Sequence, residues 1–130
     1  MNIIGLDYGK RFIGVAVGET TSQIAHGLKT VPAKKGVPDW PSLDAIINEW
    51  LPAKIILGLP LNMDGTEQNI SKAARKFKHN LEMRYQLPCI LCDERLSTYQ
   101  AKSLNTAAHK TQLDIESARI ILQQWFNDHL

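Results

Sequence analysis

The chain has two cysteines, few aromatic residues, almost no net charge and no apolar run near the length of a membrane-spanning helix. Each shortage closes off a class of function. Cys89 and Cys92 form one CxxC inside "PCILC", with no second pair and no neighbouring histidine to complete a zinc site. In an apolar, strand-like run an i, i+3 pair points to opposite faces of a sheet, so these read as packing cysteines in a reducing compartment. A transmembrane helix needs about 18 consecutive apolar residues, and none exist. The first residues, "MNIIGLDYG", lack a basic region and a cleavage site; they read as a strand, and a cytoplasmic location with no membrane partner is expected. Aromatic residues, at 7%, are few and show no stacking platform of the RRM type, and none of the four histidines has metal-ligand spacing. A net charge of +2 does not announce a nucleic-acid binder, so any basic surface has to come from local clustering.

What remains is a balance of 44% hydrophobic and 22% charged residues, that of a soluble globular protein, over a length suited to one domain spanning residues 1–130. There is no internal repeat or low-complexity segment. The first third reads as three strands, Ile3 to Asp7, Phe12 to Gly18 and roughly Gln23 to Val31, joined by turns too short for parallel crossovers. The proline-rich "PAKKGVPDWP" reads as a loop. Pro41 suits the first turn of a helix, and Leu43, Ile46, Ile47 and Trp50 follow at i, i+3, i+4, i+7. "KIILGLP" is a continuous apolar run, the mark of a buried central strand. A second helix is expected from near Thr66, with Ile70, Ala73, Ala74, Phe77 and Leu81 on its apolar stripe and Lys72, Arg75, Lys76 and His79 elsewhere. "CILCD" reads as a fifth strand, Ser97 with Gln100 as a capping box for a third helix, and about Asp114 to Asn127 as a last helix. The expected fold is α/β, a mixed five-stranded sheet with three antiparallel N-terminal strands, two α/β units and helices on its faces.

Three acids stand where such a sheet places its chemistry. Asp7 ends the first strand, and Asp93 and Glu94 end the fifth. Asp114 falls on the core-facing stripe of the last helix with Ala118, Ile121, Leu122 and Trp125. If Asp7, Glu94 and Asp114 converge, they form a hard-oxygen cage for Mg²⁺ or Mn²⁺, able to activate water and stabilise a leaving oxygen in phosphodiester cleavage. Each also has a plainer reading: Asp7 as a turn former, Asp114 as an N-cap or first-turn acid, Glu94 as the partner of Arg95 or of a surface lysine. Asp64, in "NMDGT", reads as a turn or capping residue. Lys10, Arg11 and Arg95 lie beside these carboxylates, where a phosphate backbone would meet them. The Lys72, Arg75 and Lys76 cluster reads as a solvated helix face.

Four motifs, "GLDYGKRFIGVAV", "LGLPLNMDGTE", "DERLST" and "LDIESARIILQQW", resemble in order and spacing those of the YqgF family, also called RuvX. These are Holliday-junction-resolvase-like proteins described as pre-16S rRNA nucleases. The resemblance covers essentially the whole chain and implies a ribonuclease-H-like fold. It maps the family's acids to Asp7, Glu94 and Asp114, as catalytic residues and metal ligands. Gln68 replaces the usual glycine of the second motif, Ser117 and Ala118 stand for a common alanine pair, and "AHKTQ" is poorer in lysine than usual. The implied function is a hydrolase, a metal-dependent nuclease of ribosome biogenesis that trims the 5′ end of a ribosomal RNA precursor, as a monomer or weak homodimer. Two further readings stay open: a resolvase of branched DNA, which would need a dimer for symmetric cleavage, and a non-catalytic nucleic-acid-binding module. A P-loop is excluded, since "GLDYGK" is one residue short, carries Arg11 where Ser or Thr holds Mg²⁺, and is followed by a strand. The likeness of "GLDYG" to the phosphate loop of sugar kinases and actin-like ATPases fails on length, since those need two such domains.

Overall fold

Strands β1 (Asn2–Asp7), β2 (Phe12–Glu19) and β3 (Ile24–Lys34) form the antiparallel meander expected of short turns. The computed structural model describes the backbone of residues 1–60, 69–94 and 107–130, and the side chains of 1–59, 71–92 and 112–130. The proline-rich segment adds an element where a loop was expected. β3 runs on to Lys34, a two-residue turn follows, and β4 (Val37–Pro38) pairs back with Lys34↔Val37 and Ala33↔Pro38. Lys35 and Gly36 both have positive φ, 51° and 82°, the combination that lets a two-residue hairpin match the strand twist. Pro38 is tolerated because β4 is the edge strand, where a missing N–H breaks no ladder. The sheet therefore has six strands rather than five, in the order β4-β3-β2-β1-β5-β6.

Helix α1 (Trp40–Trp50) carries Pro41 in its first turn and buries Leu43, Ile46 and Ile47, as the spacing predicts. β5 (Lys54–Pro60) lies parallel to β1 and is buried from Ile55 to Leu59. Helix α2 (Asn69–Tyr85) buries Ala74, Phe77 and Leu81 and exposes Lys72, Arg75, Lys76 and His79. β6 (Cys89–Glu94) extends the parallel half beside β5. The expected helix start near Thr66, the turn at Asp64 and the helix capped by Ser97 and Gln100 lie outside the described residues. The last helix, α3 (Ala107–His129), begins well before Asp114. Asp114 is thus an interior residue of α3, which removes the N-cap and first-turn readings.

The two faces of the sheet carry separate cores. α1 and α2 pack with Ile4, Leu6, Tyr8, Ile13, Val15 and Leu57 on one face; α3 packs with Ile3, Ala16 and Ile56 on the other. A bulge keeps β3 in step with both. Val15 pairs with Lys29 and Ala16 with Gly27, leaving Leu28 as the extra residue, so Ala25 faces α3 whereas Val31 faces the opposite core. Cys89 packs in the first core and Cys92 against the second, the opposite-face arrangement expected of their spacing. No helix among the described residues is long and apolar enough to cross a membrane.

Candidate functional site

Strand alternation places Ile3, Gly5 and Asp7 on the α3 face of β1. Asp7, its last residue, is 1% exposed, and Asp114 on α3 is 6% exposed. Gly14 brings them to one place. It is the cross-strand partner of Asp7, and a Cβ on it would stand 1.9 Å from the carbonyl oxygen of Asp114. The helix backbone therefore rests directly on β2 at the residue that pairs with Asp7, across a strand spacing of about 5 Å. Gly5 plays the same part further along, where a Cβ would meet Leu122 Cβ at 2.8 Å.

Glu94 ends β6 two strands away. Leu6, Leu57 and Leu91 lie in one row across β1, β5 and β6, so Asp7 is one residue past that row and Glu94 three residues past it. Strand spacing and rise put their Cα atoms about 12 Å apart, on the same end of the sheet. Among the described residues no group of three acidic, imidazole or thiol side chains meets, and the side chain of Glu94 and all of Arg95 lie outside them. Buried aspartates are hard anionic donors of the kind Mg²⁺ and Mn²⁺ take, so the donor chemistry of Asp7 and Asp114 fits such a cation.

The turn after Asp7 is braced from the other side. Tyr8 points into the α1–α2 core, 4.9 Å from Phe77, and its hydroxyl donates to the Gly36 carbonyl at 2.8 Å. Burial raises the Tyr8 phenol above its ordinary pKa, which keeps it a donor. The Gly36 N–H donates to the Lys10 carbonyl and the Ala33 N–H to the Arg11 carbonyl, at 3.0 and 2.7 Å. The β3–β4 hairpin thus holds the turn's backbone while Lys10 and Arg11 remain exposed. Lys34 and Lys35 are exposed on the same hairpin, so four basic residues gather beside the end of β1. That gathering was missed from sequence, since the signal, a Lys-Gly pair between two extended stretches, lay inside a run of prolines.

The fold and the motifs have counterparts. The family model described as RuvX, Holliday junction resolvase, matches residues 1–128. The chain is similar to a Saccharophagus degradans protein named "Putative pre-16S rRNA nuclease", 40% identical over 133 residues, covering 98% of this chain and 94% of that protein. A protein of the same name from Actinobacillus succinogenes is 40% identical over 135 residues, covering 99% of this chain and 96% of that one. Among solved structures, the fowlpox virus resolvase in complex with Holliday junction DNA superposes with a TM-score of 0.57 at 13% identity, covering 100% of this chain and 99% of that chain. Thermus thermophilus RuvC with its junction substrate gives 0.53 at 14% identity, covering 98% and 94%. At that identity the likeness establishes the ribonuclease-H-like fold. Four ordered motifs, a matching fold and relatives alike over nearly their whole length lead to one statement: the chain belongs to the RuvX family.

Proposed function

We propose that the protein is a divalent-metal-dependent nuclease that processes the 5′ end of a 16S ribosomal RNA precursor. What carries this reading is the junction of two buried aspartates, Asp7 and Asp114, drawn together over Gly14 in a family whose curated relatives bear that nuclease name. A buried carboxylate is costly to ionise unless it is paired or coordinates a cation. Two buried aspartates at one strand–helix contact, in this family, support the cation-site reading.

Asp7, Asp114 and Glu94 are the residues that would hold Mg²⁺ or Mn²⁺. The bound ion would supply Lewis-acid polarisation of the scissile phosphate and a water of lowered pKa. Asp7 and Asp114 come from a central strand and a packed helix, so their positions are set before substrate arrives, and little reorganisation remains to be done in the transition state. Glu94, at the end of β6, lies at a backbone separation that an aspartate, a glutamate and an intervening ion can bridge. Lys10 and Arg11, on the braced turn, and Arg95 after Glu94 would bind the phosphates on either side and fix the strand's register.

The test is cleavage with Mg²⁺ or Mn²⁺ of a ribosomal RNA precursor, a single-stranded RNA and a four-way DNA junction by wild type and Asp7→Asn. Cutting of the precursor is expected, lost in Asp7→Asn while nucleic-acid affinity is kept, because the change removes a metal ligand and no phosphate contact. Cutting confined to the junction would instead support the resolvase activity. Wild type and variant alike on all three substrates would end the enzymatic reading.

A further inference from the structure

On the sheet face opposite α3, a groove of about 310 Å³ opens beside the end of β1. Its floor is formed by half-buried Trp40 with the buried rings of Tyr8 and Phe77, and its rim carries Lys35 from the hairpin turn together with Lys76 and Asn80 from α2. Among its described lining residues none is acidic. Both lysines are exposed, and the backbone of the turn that carries Lys35 is held: the Gly36 carbonyl accepts from Tyr8 and the Gly36 N–H donates to the Lys10 carbonyl. The groove is contiguous with the candidate catalytic end, since Tyr8 directly follows Asp7 and Lys10 is bound to the hairpin that presents Lys35.

We propose that this groove is a subsite for one nucleotide of a single strand that continues past the cleavage position, around the end of β1. The inference rests on the nuclease reading above and extends it to a substrate class. Two cations over an apolar floor match a nucleotide, whose phosphates are anionic and whose sugar and base present apolar surface. The size argues for one strand: the volume is at the small end of pockets that enclose low-molecular-weight ligands and cannot admit a double helix. The Asn80 amide, both donor and acceptor, can meet any base edge without demanding a sequence. Lys76, which alone on its helix looks like part of a solvated face, acquires a partner only because the β3–β4 hairpin brings Lys35 opposite it.

Binding of the 130-residue chain, without divalent metal, to a single-stranded RNA of about 12 nucleotides and to a blunt duplex of the same sequence tests this by fluorescence anisotropy. The Lys35→Gln/Lys76→Gln variant is expected to bind the single strand about tenfold more weakly, with a salt slope shallower by about 1.4, at 0.7 per lost phosphate contact. Its affinity for the duplex should fall no more than that of Lys29→Gln, which removes an exposed lysine from β3 outside the groove. Glutamine keeps the first two methylenes and a polar end while removing the charge, and thermal melts check that both variants fold; a shifted melt is answered by the single variants, read in the same assay. An undiminished single-strand affinity, an equal loss on the duplex, or an equal loss in Lys29→Gln would overturn the proposal. Because no cleavage is measured, failure of the nuclease reading would show in Asp7→Asn and leave this outcome distinct.

Discussion

Gly14→Ala is the sharpest probe of the strand–helix junction. The added methyl carbon would lie 1.9 Å from the Asp114 carbonyl oxygen, 2.4 Å from its carbon and 3.1 Å from the Ile115 nitrogen. All three are backbone atoms, so no rotamer change relieves the clash. Real Cβ contacts stay beyond 3.0 Å, so α3 has to lift by at least about 1.1 Å at Asp114, the difference between 3.0 and 1.9 Å. The helix is anchored further along by Ala118, Leu122 and Phe126, all fully buried, so the lift becomes a tilt concentrated at the site. Overpacking of this kind costs about 1–3 kcal/mol, and urea unfolding should place Gly14→Ala near the upper end. A displacement of about 1 Å at a catalytic constellation lowers turnover by about 100-fold, so cleavage should fall by that order under conditions where the variant is folded. Gly27→Ala supplies the contrast. Its Cβ would meet Ile115 Cγ2 at 2.5 Å, a branch methyl with little χ1 freedom in a helix; it too should cost about 1–3 kcal/mol, but the clash is with a side chain and not with the Asp114 backbone, so cleavage should fall less than in Gly14→Ala. Gly14→Ala with wild-type unfolding midpoint and wild-type turnover would refute the close approach of α3 and with it the geometry on which the candidate site depends.

Two more expectations concern the scaffold. Asp44 on α1 accepts from Arg84 Nε and Nη2 at 2.9 and 2.7 Å and from the Tyr85 hydroxyl at 2.6 Å, tying α1 to α2. The hydrogen bonds from Arg84, then that from Tyr85, hold its carboxyl down at about 2, below its ordinary 3.8. A depressed carboxyl stabilises the fold above its unfolded pKa and loses that contribution as pH falls through the folded value, here between about pH 4 and pH 2. The stability gap between wild type and Asp44→Asn in urea titrations should therefore be full near neutrality and close across that window; a gap independent of pH would refute the pairing. Burial first, then the nearby Glu82 charge, pushes the Cys89 thiol up to about 12. It should resist iodoacetamide in the folded protein at mildly alkaline pH and react in urea, as read by peptide mass; native-state labelling would contradict its place in the core.

Local pattern was enough for most of the elements. The short turns made β1, β2 and β3 antiparallel, and the i, i+3, i+4, i+7 spacing of Leu43 to Trp50 made α1. The continuous apolar run at Ile55 to Leu59 marked a strand buried on both faces, because these signals depend only on periods of two and 3.6 residues. The β3–β4 hairpin escaped because Lys35 adopts positive φ without being glycine, a choice the pairing of Ala33 with Pro38 imposes. The start of α3 escaped because a charge at Asp114 imitates a helix beginning, whereas the helix tolerates it in its interior at the one point where it leans on Gly14. The sequence by itself thus determined which acids and which lysines were available, and on which face of its own strand or helix each lay. Only the tertiary structure decided that Asp114 rests over the partner of Asp7, and that Lys35 and Lys76 flank one groove. Those proximities follow from how closely a helix can approach glycine and from where a hairpin folds back, and neither is encoded in the periodicity of any single segment.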